Sequence, residues 1–242
     1  MSKKTFFDFV IPVYNPEQGW EKKVVDTLIQ LSSNYQEVNF IPVIVNDGST
    51  TKITDSISYI SSKYPQLCYI FLAINEGKGQ ALRKGLRPSK SPYSLYIDAD
   101  IPYEYESISR IVNAVLKNEG DVIIGKRNDS YHQNLSSFRI LISKALKWFN
   151  RNILILTIDD TQAGLKAMNA YGRSIFLKTK SPRFLFDLEF VVISIKTGVR
   201  YKSVNIQIRK GIKHSTISTL SLLKELPSLL RIIRIRMLPS ND

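Results

Sequence analysis

Short apolar runs and segments of helical spacing alternate along the first half of the chain. Strands are predicted at 6–14, 40–45, 67–74, 93–97 and 121–125, each closed by turn-forming or polar residues. Helices are predicted at 20–31, from a Ser49 or Thr50 cap to residue 64, over a short segment ending near Gly85, and at 107–116. Strands that alternate with helices indicate an α/β fold with a mainly parallel sheet covered on both faces.

The alternation weakens after Gly125, and the second half is predicted from isolated segments. Helices are expected at 135–156 and 188–196, and strands at 164–168 and 204–208. Because no linker or internal repeat divides the chain, we predict one α/β domain over 1–212. The remaining segment, 213–242, is basic and amphipathic and is predicted to form a separate contact surface.

Composition limits the cellular compartments in which the protein is expected. The chain has 242 residues, of which 43% are hydrophobic, and this suffices for one substantial core. A single cysteine, Cys68, cannot close an intramolecular disulfide, so a reducing compartment fits best. No window reaches the roughly 18 apolar residues that a membrane span needs, and the N-terminal stretch makes a poor signal peptide. A soluble or peripheral protein is therefore expected.

The net charge of +13 points to an anionic partner. Nucleic acid, anionic lipid and phosphorylated substrates would all be attracted to such a surface. Nine Lys and Arg residues fall within 200–242, where Glu225 and Asp242 are the acidic residues. These basic residues mingle with Leu and Ile rather than with aromatic rings that stack on bases, so we predict no nucleic-acid partner. A solvated basic surface is the plainer alternative.

Three polar clusters follow predicted strands: Asn15-Pro16-Glu17, Asp47-Gly48-Ser49 and Asp98-Ala99-Asp100. In open α/β sheets, ligands bind beyond the carboxyl ends of the strands. Side chains i and i+2 of an extended segment face the same way, so Asp98 and Asp100 are expected to point together. Two adjacent carboxylates repel each other, and Mg²⁺ or Mn²⁺ shared with diphosphate oxygens would remove the repulsion. The alternative is one capping and one solvated aspartate.

The loop Asn75-Glu76-Gly77-Lys78-Gly79 follows the third predicted strand and opens a helix, a position suited to phosphate or sugar contact. It is not a Gly-x-Gly-x-x-Gly fingerprint, because residue 82 is leucine, and it lacks the Gly-Lys-Ser/Thr of a Walker A loop. A dinucleotide-dependent dehydrogenase and a nucleoside triphosphatase are therefore disfavoured. A plain turn with glycine in left-handed conformations is the alternative.

Four motifs together resemble glycosyltransferase family 2 in their order and spacing: Ile11-Pro12-Val13-Tyr14-Asn15, Asn46-Asp47-Gly48-Ser49, the 75–79 loop and Asp98-Ala99-Asp100. The resemblance is strong over 6–128 and implies a GT-A fold. Two later motifs are similar to the dolichyl-phosphate glucosyl- and mannosyltransferase branch: Asp160-Thr161-Gln162-Ala163-Gly164-Leu165-Lys166 and Arg183-Phe184-Leu185-Phe186-Asp187-Leu188-Glu189. The first of these two leans towards the glucosyl side.

The resemblance implies roles for the residues at matching positions. A nucleotide-sugar pocket is implied for Pro12, Tyr14, Asn15, Glu17, Asp47, Asn75, Lys78, Gly79, Asp98, Ala99 and Gln162. Asp98 and Asp100 are implied to hold the diphosphate and a Mg²⁺ or Mn²⁺ ion, and Asp100 is counted among the catalytic residues. Pro102 stands where the mannosyl branch has a metal-binding glutamine, so a weaker metal shell, or one completed by water, is expected here.

For the acceptor, the resemblance implies that Arg127, Arg139 and Ser143 hold a lipid phosphate, with Arg127 also counted as catalytic. A guanidinium fork matches phosphate oxygens, although ordinary surface cations are the alternative. The resemblance also places Asp187 and Glu189 near the sugar, and both are counted among the catalytic residues. Because a phosphate nucleophile is already ionised at neutral pH, they are expected to grip sugar hydroxyls. With a hydroxyl acceptor, one of them would be the base. A helix cap is the structural alternative for Asp187.

The segment 213–242 places leucine and isoleucine along one side of a predicted helix, with lysine and arginine elsewhere. Pro227 is expected to start a new helical piece, because proline is not tolerated inside a helix. This composition suits a helix that lies in a membrane interface. Packing against a second copy of the chain or against a membrane-protein partner would explain the apolar stripe equally well.

We therefore predict an inverting, metal-dependent hexosyltransferase, peripheral at the cytoplasmic membrane face. It is expected to move a hexose from a nucleotide sugar, UDP-glucose before GDP-mannose, to a polyprenyl or dolichyl phosphate. Within the enzyme class, the alternative is a family 2 glycosyltransferase that uses a saccharide hydroxyl in polysaccharide or cell-surface glycan assembly. From another class, the alternative is a non-catalytic basic binding protein.

Overall fold

The computed structural model describes residues 4–127, 148, 154, 163–209 and 224–237. The strands in these residues are β1 (Thr5–Val13), β2 (Val38–Asp47), β3 (Cys68–Leu72), β4 (Tyr93–Tyr96), β5 (Val122–Arg127), β6 (Lys166–Asn169) and β7 (Tyr201–Ile206). The helices are α1 (Trp20–Asn34), α2 (Thr54–Lys63), α3 (Lys78–Leu86), α4 (Tyr105–Leu116), α5 (Ala170–Phe176), α6 (Phe186–Lys196) and α7 (Leu226–Met237). The helix predicted at 135–156 lies outside the described residues, apart from two isolated positions.

The strands of the described residues form one seven-stranded sheet in the order β3-β2-β1-β4-β6-β5-β7. β1 lies between β2 and β4 and runs parallel to both, with Val13 beside Asn46 and Val10 beside Tyr96. β6 is antiparallel to β4 and to β5, whereas β7 is parallel to β5. The predicted α/β fold with a mainly parallel sheet is confirmed, with one reversed strand that the hydrophobic pattern did not reveal.

Alternating side chains of β1 enter two separate cores. Phe7, Phe9 and Ile11 are fully buried in a core completed by α1, α2 and α4. Val10 points to the opposite face, where α3, α5, α6 and α7 complete the second core. Because helices cover both faces, the strands read as continuous apolar runs rather than as alternating ones.

One local prediction was wrong, and one helix was not predicted. Neither Ser49 nor Thr50 caps α2, which begins after Ile53 without a side-chain cap. Ser49 is held instead by its backbone N–H, which donates to Asn46 Oδ1 at 2.9 Å. The helix α5 was not predicted, although Asn169 caps it by accepting a hydrogen bond from the N–H of Gly172 at 2.9 Å. At seven residues, α5 is too short to show a clear helical period.

The C-terminal helix α7 packs on α6 and is tied to both ends of it. Glu225 precedes α7 and accepts hydrogen bonds from the N–H groups of Phe184 and Leu185, at 3.2 and 3.3 Å. At the other end of α6, Lys196 Nζ donates to the carbonyl oxygen of Ile235 at 2.8 Å. The described part of 213–242 therefore rests on the main domain, and the boundary at residue 212 stays a prediction.

Among the described residues, no helix combines the length and the apolar character that a bilayer-spanning helix requires.

Candidate active site

Those predicted site residues that follow β1, β2, β3 and β4 lie at one edge of the sheet. β1, β2 and β4 are parallel neighbours, so their carboxyl ends open on the same side. The loops that follow them begin with Tyr14, Gly48 and Ile97, and the loop after β3 leads into α3 from the same side. The expectation that ligand-binding residues sit beyond the carboxyl ends of the strands fits this arrangement.

Asn15 joins the first two of these loops. Its Oδ1 accepts hydrogen bonds from the backbone N–H groups of Thr50 and Thr51, at 2.8 and 3.1 Å, and its own N–H donates to Ser49 Oγ at 3.0 Å. The backbone of Asn15 has a φ of 44°, a left-handed conformation that asparagine tolerates better than most residues. Asn15 therefore shapes the loop, and the neighbouring Tyr14 is exposed, so its contact with a nucleotide sugar stays a prediction.

The other two residues predicted on the first loop differ in exposure. Glu17 is exposed, whereas Pro12 is half-buried near the end of β1. Their contact with a nucleotide stays a prediction.

Asp47 holds the loop that leads into α3. Its side chain is buried and accepts hydrogen bonds from the N–H groups of Glu76 and Gly77, at 2.7 and 2.9 Å, and from Asn75 Nδ2 at 3.2 Å. Burial raises the pKa of the Asp47 carboxyl, although the two backbone N–H groups act in the opposite direction. The Asp47 carboxylate is therefore engaged by this loop. Its predicted contact with a nucleotide base stays a prediction.

The N-terminus of α3 is bonded to another part of the chain. The N–H groups of Gly79 and Gln80 both donate to the carbonyl oxygen of Pro182, at 2.8 and 3.2 Å. A Cβ added at Gly79 would lie 2.6 Å from Ser181 O, so the glycine permits this close approach. A phosphate at these two amides is therefore disfavoured, and Lys78 is the residue of α3 whose side chain reaches the carboxylates.

Asp98, Asp100 and Lys78 form the polar centre of the site. Lys78 Nζ donates to Asp98 Oδ1 in an ion pair whose side chains are about one third exposed, 33% and 36%. Burial alone would lower the pKa of the Lys78 ammonium, but the charges of Asp98 and Asp187 outweigh it and raise that pKa. Burial raises the pKa of the Asp100 carboxyl, and the neighbouring charge of Asp98 raises it further.

A turn brings the two aspartates together. β4 ends at Tyr96, and the N–H of Ile101 donates to the carbonyl oxygen of Asp98 at 3.0 Å. Ile101 is fully buried with a φ of 45°, a left-handed conformation that costs a β-branched residue about 1–3 kcal/mol. Asp98 and Asp100 thus lie on a turn rather than on an extended segment, and the charge of Asp98 acts on Asp100, but that both point together into the crevice stays a prediction. Ala99 lies half-buried between them.

Behind this centre lies a buried network around Asp187. Asp187 Oδ1 accepts hydrogen bonds from Tyr96 OH at 2.5 Å and from Lys166 Nζ at 2.6 Å. Lys166 is fully buried, and its Nζ also donates to the carbonyl oxygen of Ala163 at 2.7 Å. Burial and the charge of Asp187 raise the pKa of the Tyr96 hydroxyl well above its usual value. Asp187 lies in the first turn of α6 without capping it, which excludes the capping alternative.

Glu189 points away from Asp187. Its Oε2 accepts hydrogen bonds from the N–H groups of Lys180 and Ser181, at 2.9 and 2.6 Å, and its Oε1 lies 3.8 Å from Arg231 Nε of α7. Residues two apart on a helix face different sides. Glu189 therefore holds the 180–181 loop and α7, and its predicted contact with a sugar stays a prediction.

The predicted acceptor residues are only partly described. Arg127 is the last residue of β5, half-buried beside Ile206 of β7. Arg139, Ser143 and the nucleotide-site residue Gln162 lie outside the described residues. Their roles stay predictions.

Asp98 and Asp100 suit a divalent cation held together with a diphosphate. Within the residues that the structure describes, no three His, Cys, Asp or Glu side chains form a complete metal cage. Mg²⁺ sites in proteins typically use one or two carboxylates, with substrate phosphates and water as the other ligands. Burial and, after it, the charge of Asp98 raise the pKa of the Asp100 carboxyl, and a bound cation would offset both. Pro102 offers no side-chain ligand, as expected from the sequence.

Sequence reasoning assigned no role to three residues of this site. Tyr96 and Lys166 form the network around Asp187, and Gly164 lies directly against the carboxylate of Asp98. One signal was present: Lys166 stands among apolar residues in a short predicted strand, and a charge in such a run must find a buried partner. Nothing local to the sequence indicated that the partner would be Asp187.

Comparison with known proteins identifies relatives. The sequence matches the family model described as Glycosyl transferase family 2 over residues 8–179. A dolichyl-phosphate beta-glucosyltransferase of Dictyostelium discoideum is 23% identical over 207 residues, covering 80% of this chain and 63% of that protein. One from Saccharomyces cerevisiae is 27% identical over 224 residues, covering 84% of this chain and 67% of that protein. The chain thus spans slightly less than two thirds of the first relative.

Solved structures share the architecture. Glucosyl-3-phosphoglycerate synthase from Mycobacterium tuberculosis, crystallised with Mn²⁺, UDP and phosphoglyceric acid, has a TM-score of 0.65 at 17% identity. The match covers 98% of this chain and 80% of that one. A second structure of that enzyme, with Mn²⁺, UDP-glucose and phosphoglyceric acid, has a TM-score of 0.66 at 16% identity over 98% of this chain and 81% of that one. These matches concern the fold alone and confirm the predicted GT-A architecture. Because the family model covers well over half of the sequence, the chain belongs to glycosyl transferase family 2.

Proposed function

We propose that this protein transfers glucose, with inversion, from UDP-glucose to a polyprenyl or dolichyl phosphate. The observation that carries the proposal is the turn holding Asp98 and Asp100 at the carboxyl end of β4, with the Lys78 ammonium beside it. Both relatives named above are dolichyl-phosphate beta-glucosyltransferases, which supports glucose over mannose and a lipid phosphate as the acceptor. The Mn²⁺ and UDP of the structural neighbours support a donor of the same kind.

Within the polar centre, the Lys78 ammonium is proposed to supply positive charge where negative charge develops. When the bond between the sugar and the nucleoside diphosphate breaks, the diphosphate gains negative charge. Cationic groups fixed beside it stabilise the transition state. The Lys78 ammonium contacts Asp98 of the aspartate pair. A Mg²⁺ or Mn²⁺ ion held by Asp98 and Asp100 would add Lewis-acid stabilisation of the diphosphate oxygens.

The state of Asp187 favours a phosphate acceptor over a hydroxyl acceptor. A hydroxyl must be deprotonated by a general base within hydrogen-bond reach. Asp187 is buried, and its Oδ1 already accepts hydrogen bonds from Tyr96 and Lys166. A phosphate oxygen is ionised at neutral pH, so it needs alignment with the anomeric carbon rather than deprotonation. We therefore place Asp187 as a residue that shapes the floor of the sugar site.

The acceptor phosphate is proposed to meet Arg127 together with Arg139 and Ser143. The acceptor is a membrane lipid, so the enzyme must work at a bilayer surface. α7 exposes Leu226, Leu230 and Met237. Exposed leucines next to arginines suit a helix that lies in the headgroup region of a membrane. We propose a peripheral enzyme at the cytoplasmic face.

A product assay tests the proposal. The full chain is incubated with Mn²⁺, radiolabelled UDP-glucose or GDP-mannose, and either a short polyprenyl phosphate or a saccharide acceptor. We expect label from UDP-glucose to appear in the organic phase only with the polyprenyl phosphate, and Asp100→Asn to abolish it. Transfer only to saccharide would establish the alternative acceptor, and a preference for GDP-mannose would overturn the choice of donor. Binding of UDP-glucose without any transfer would indicate a non-catalytic binding protein.

A further inference from the structure

Both carboxylate oxygens of Asp98 are covered by other parts of the chain. Oδ1 accepts a hydrogen bond from Lys78 Nζ. Oδ2 lies against the backbone of Gly164, where an added Cβ would collide with that oxygen and would lie 3.2 Å from Lys78 Nζ. A divalent cation that binds Asp98 therefore competes with one of these two covers, although the Asp98 side chain is 36% exposed.

Of the two covers, the lysine side chain is the movable one. Gly164 is followed by Leu165, whose carbonyl oxygen accepts a hydrogen bond from the N–H of Gly125 at 3.0 Å, and then by β6, which is paired on both sides. The Lys78 side chain is one third exposed and rotates about four carbon–carbon bonds. Its Nζ lies 5.8 Å from the ring centroid of Phe186. The face of an aromatic ring attracts an ammonium group.

We propose that the Lys78 ammonium pairs with Asp98 until a divalent cation binds there, and that the ammonium then pairs with the donor diphosphate. This inference rests on the proposed function and deepens it. An ammonium and a metal ion cannot share Asp98 Oδ1, because two cations in contact repel each other. Once displaced, the ammonium needs another anion, and the diphosphate that binds through the same metal ion supplies one.

The exchange makes metal binding and donor binding depend on each other. A metal ion that binds alone must break the ion pair between Lys78 and Asp98 without a replacement, so its binding is weakened. When the diphosphate is present, the ammonium gains a new partner and this cost disappears. Linkage then requires that metal and diphosphate strengthen each other's binding by the same factor. Removal of the ammonium should strengthen the binding of the metal alone.

The test is a Mn²⁺ titration of the full chain, with unbound Mn²⁺ followed by its electron paramagnetic resonance signal, in the absence and presence of UDP. In Lys78→Met we expect Mn²⁺ alone to bind about tenfold more tightly than in the wild type, and the gain caused by UDP to shrink about tenfold. Lys84→Met is the matched control. Lys84 is an exposed residue of the same helix, so this change removes an equal charge at a distance from Asp98.

Each outcome decides the proposal. The exchange is overturned if Mn²⁺ binds no more tightly to Lys78→Met and to a second variant, Lys78→Gln, both shown to be folded by circular dichroism. It is also overturned if Lys84→Met gains as much affinity, because the effect would then be one of net charge. Either result leaves glucose transfer by the wild type intact, so it is distinguishable from failure of the proposed function. A wild type that binds no Mn²⁺ even with UDP would remove the metal site and the exchange together.

Discussion

At the scale of single residues, the buried ion pair between Lys166 and Asp187 is expected to have a large effect on folding. Both side chains are buried, at 0% and 4% exposure, and their atoms are 2.6 Å apart. Lys166→Met leaves the Asp187 carboxylate buried without its counter-charge. Loss of one partner of a buried pair typically costs about 3–5 kcal/mol. We expect a decrease of this size in the free energy of unfolding, measured by urea denaturation.

Two comparisons separate this effect from a general loss of lysine. Lys202 pairs with Glu119 at 2.9 Å, but both side chains are substantially exposed, so Lys202→Met should cost no more than about 1 kcal/mol. The double variant Lys166→Met/Asp187→Asn should be more stable than the sum of the two single changes predicts, because neither charge is then left unpaired. Equal costs for Lys166→Met and Lys202→Met would show that the buried pair contributes little.

The same residues show what the sequence could and could not predict. Asp98 and Asp100 were found because an aspartate pair after an apolar strand is a local pattern. The contact of Lys78 with Asp98 and that of Lys166 with Asp187 join residues about 20 apart in the chain. Such contacts depend on how the 163–164 segment and α6 pack under the sheet edge, which no local pattern encodes. The loop-holding roles of Asp47 and Asn15 were hidden for the same reason.

At the scale of elements, Glu225 links α7 to the N-terminus of α6, and its titration should report on this link. Burial raises the pKa of the Glu225 carboxyl above its usual 4.5, and the N–H groups of Leu185 and Phe184 offset this only in part. The Glu225 carboxyl therefore holds its proton more tightly in the folded chain than in the unfolded chain. Its contribution to stability therefore falls as the pH rises from 4.5 through the raised folded-state pKa.

Glu225→Gln removes this titration while it keeps a side-chain acceptor for the backbone N–H groups. We expect the wild type to lose stability relative to Glu225→Gln as the pH rises above about 4.5, and the difference to level off near neutrality. Urea unfolding of both proteins over this range measures it. In Asp121→Asn the difference from the wild type should stay flat over the same range, because Arg200 and Asn169 overcome burial and keep the pKa of Asp121 below its usual value. A flat difference for Glu225→Gln would contradict the prediction.

Element types were easier to predict than element directions. The strands β1 to β5 and the helices between them were predicted from their apolar patterns, with ends that differ by a few residues. The direction of β6 was not predictable, because a four-residue strand pairs equally well either way in a pattern of apolar positions. Its reversal places Lys166 opposite Tyr96, which brings the lysine to the same carboxylate as the tyrosine hydroxyl.

At the scale of the whole molecule, a net charge of +13 and an apolar strip on α7 predict binding to anionic membranes. Leu226 and Leu230 are 51% and 68% exposed, one helical turn apart. Burial of a leucine side chain contributes about 1.5 kcal/mol or more, so Leu226→Glu/Leu230→Glu should weaken vesicle binding by more than about tenfold. Co-sedimentation with phosphatidylglycerol vesicles measures this, and added salt should weaken binding of the wild type as well.

A charge-matched control separates the α7 strip from the overall charge. Ile29 on α1 and Tyr171 on α5 are 49% and 52% exposed, and Ile29→Glu/Tyr171→Glu lowers the net charge by the same amount on helices other than α7. If charge alone attracts the chain, both double variants should lose the same affinity. If α7 enters the headgroup region, the α7 variant should lose far more affinity than the control variant. Added salt should then weaken vesicle binding less than the loss of the apolar side chains does. Equal losses of vesicle affinity in the two variants would show that charge alone attracts the chain. The exposed leucines would then be expected to contact a partner other than the membrane.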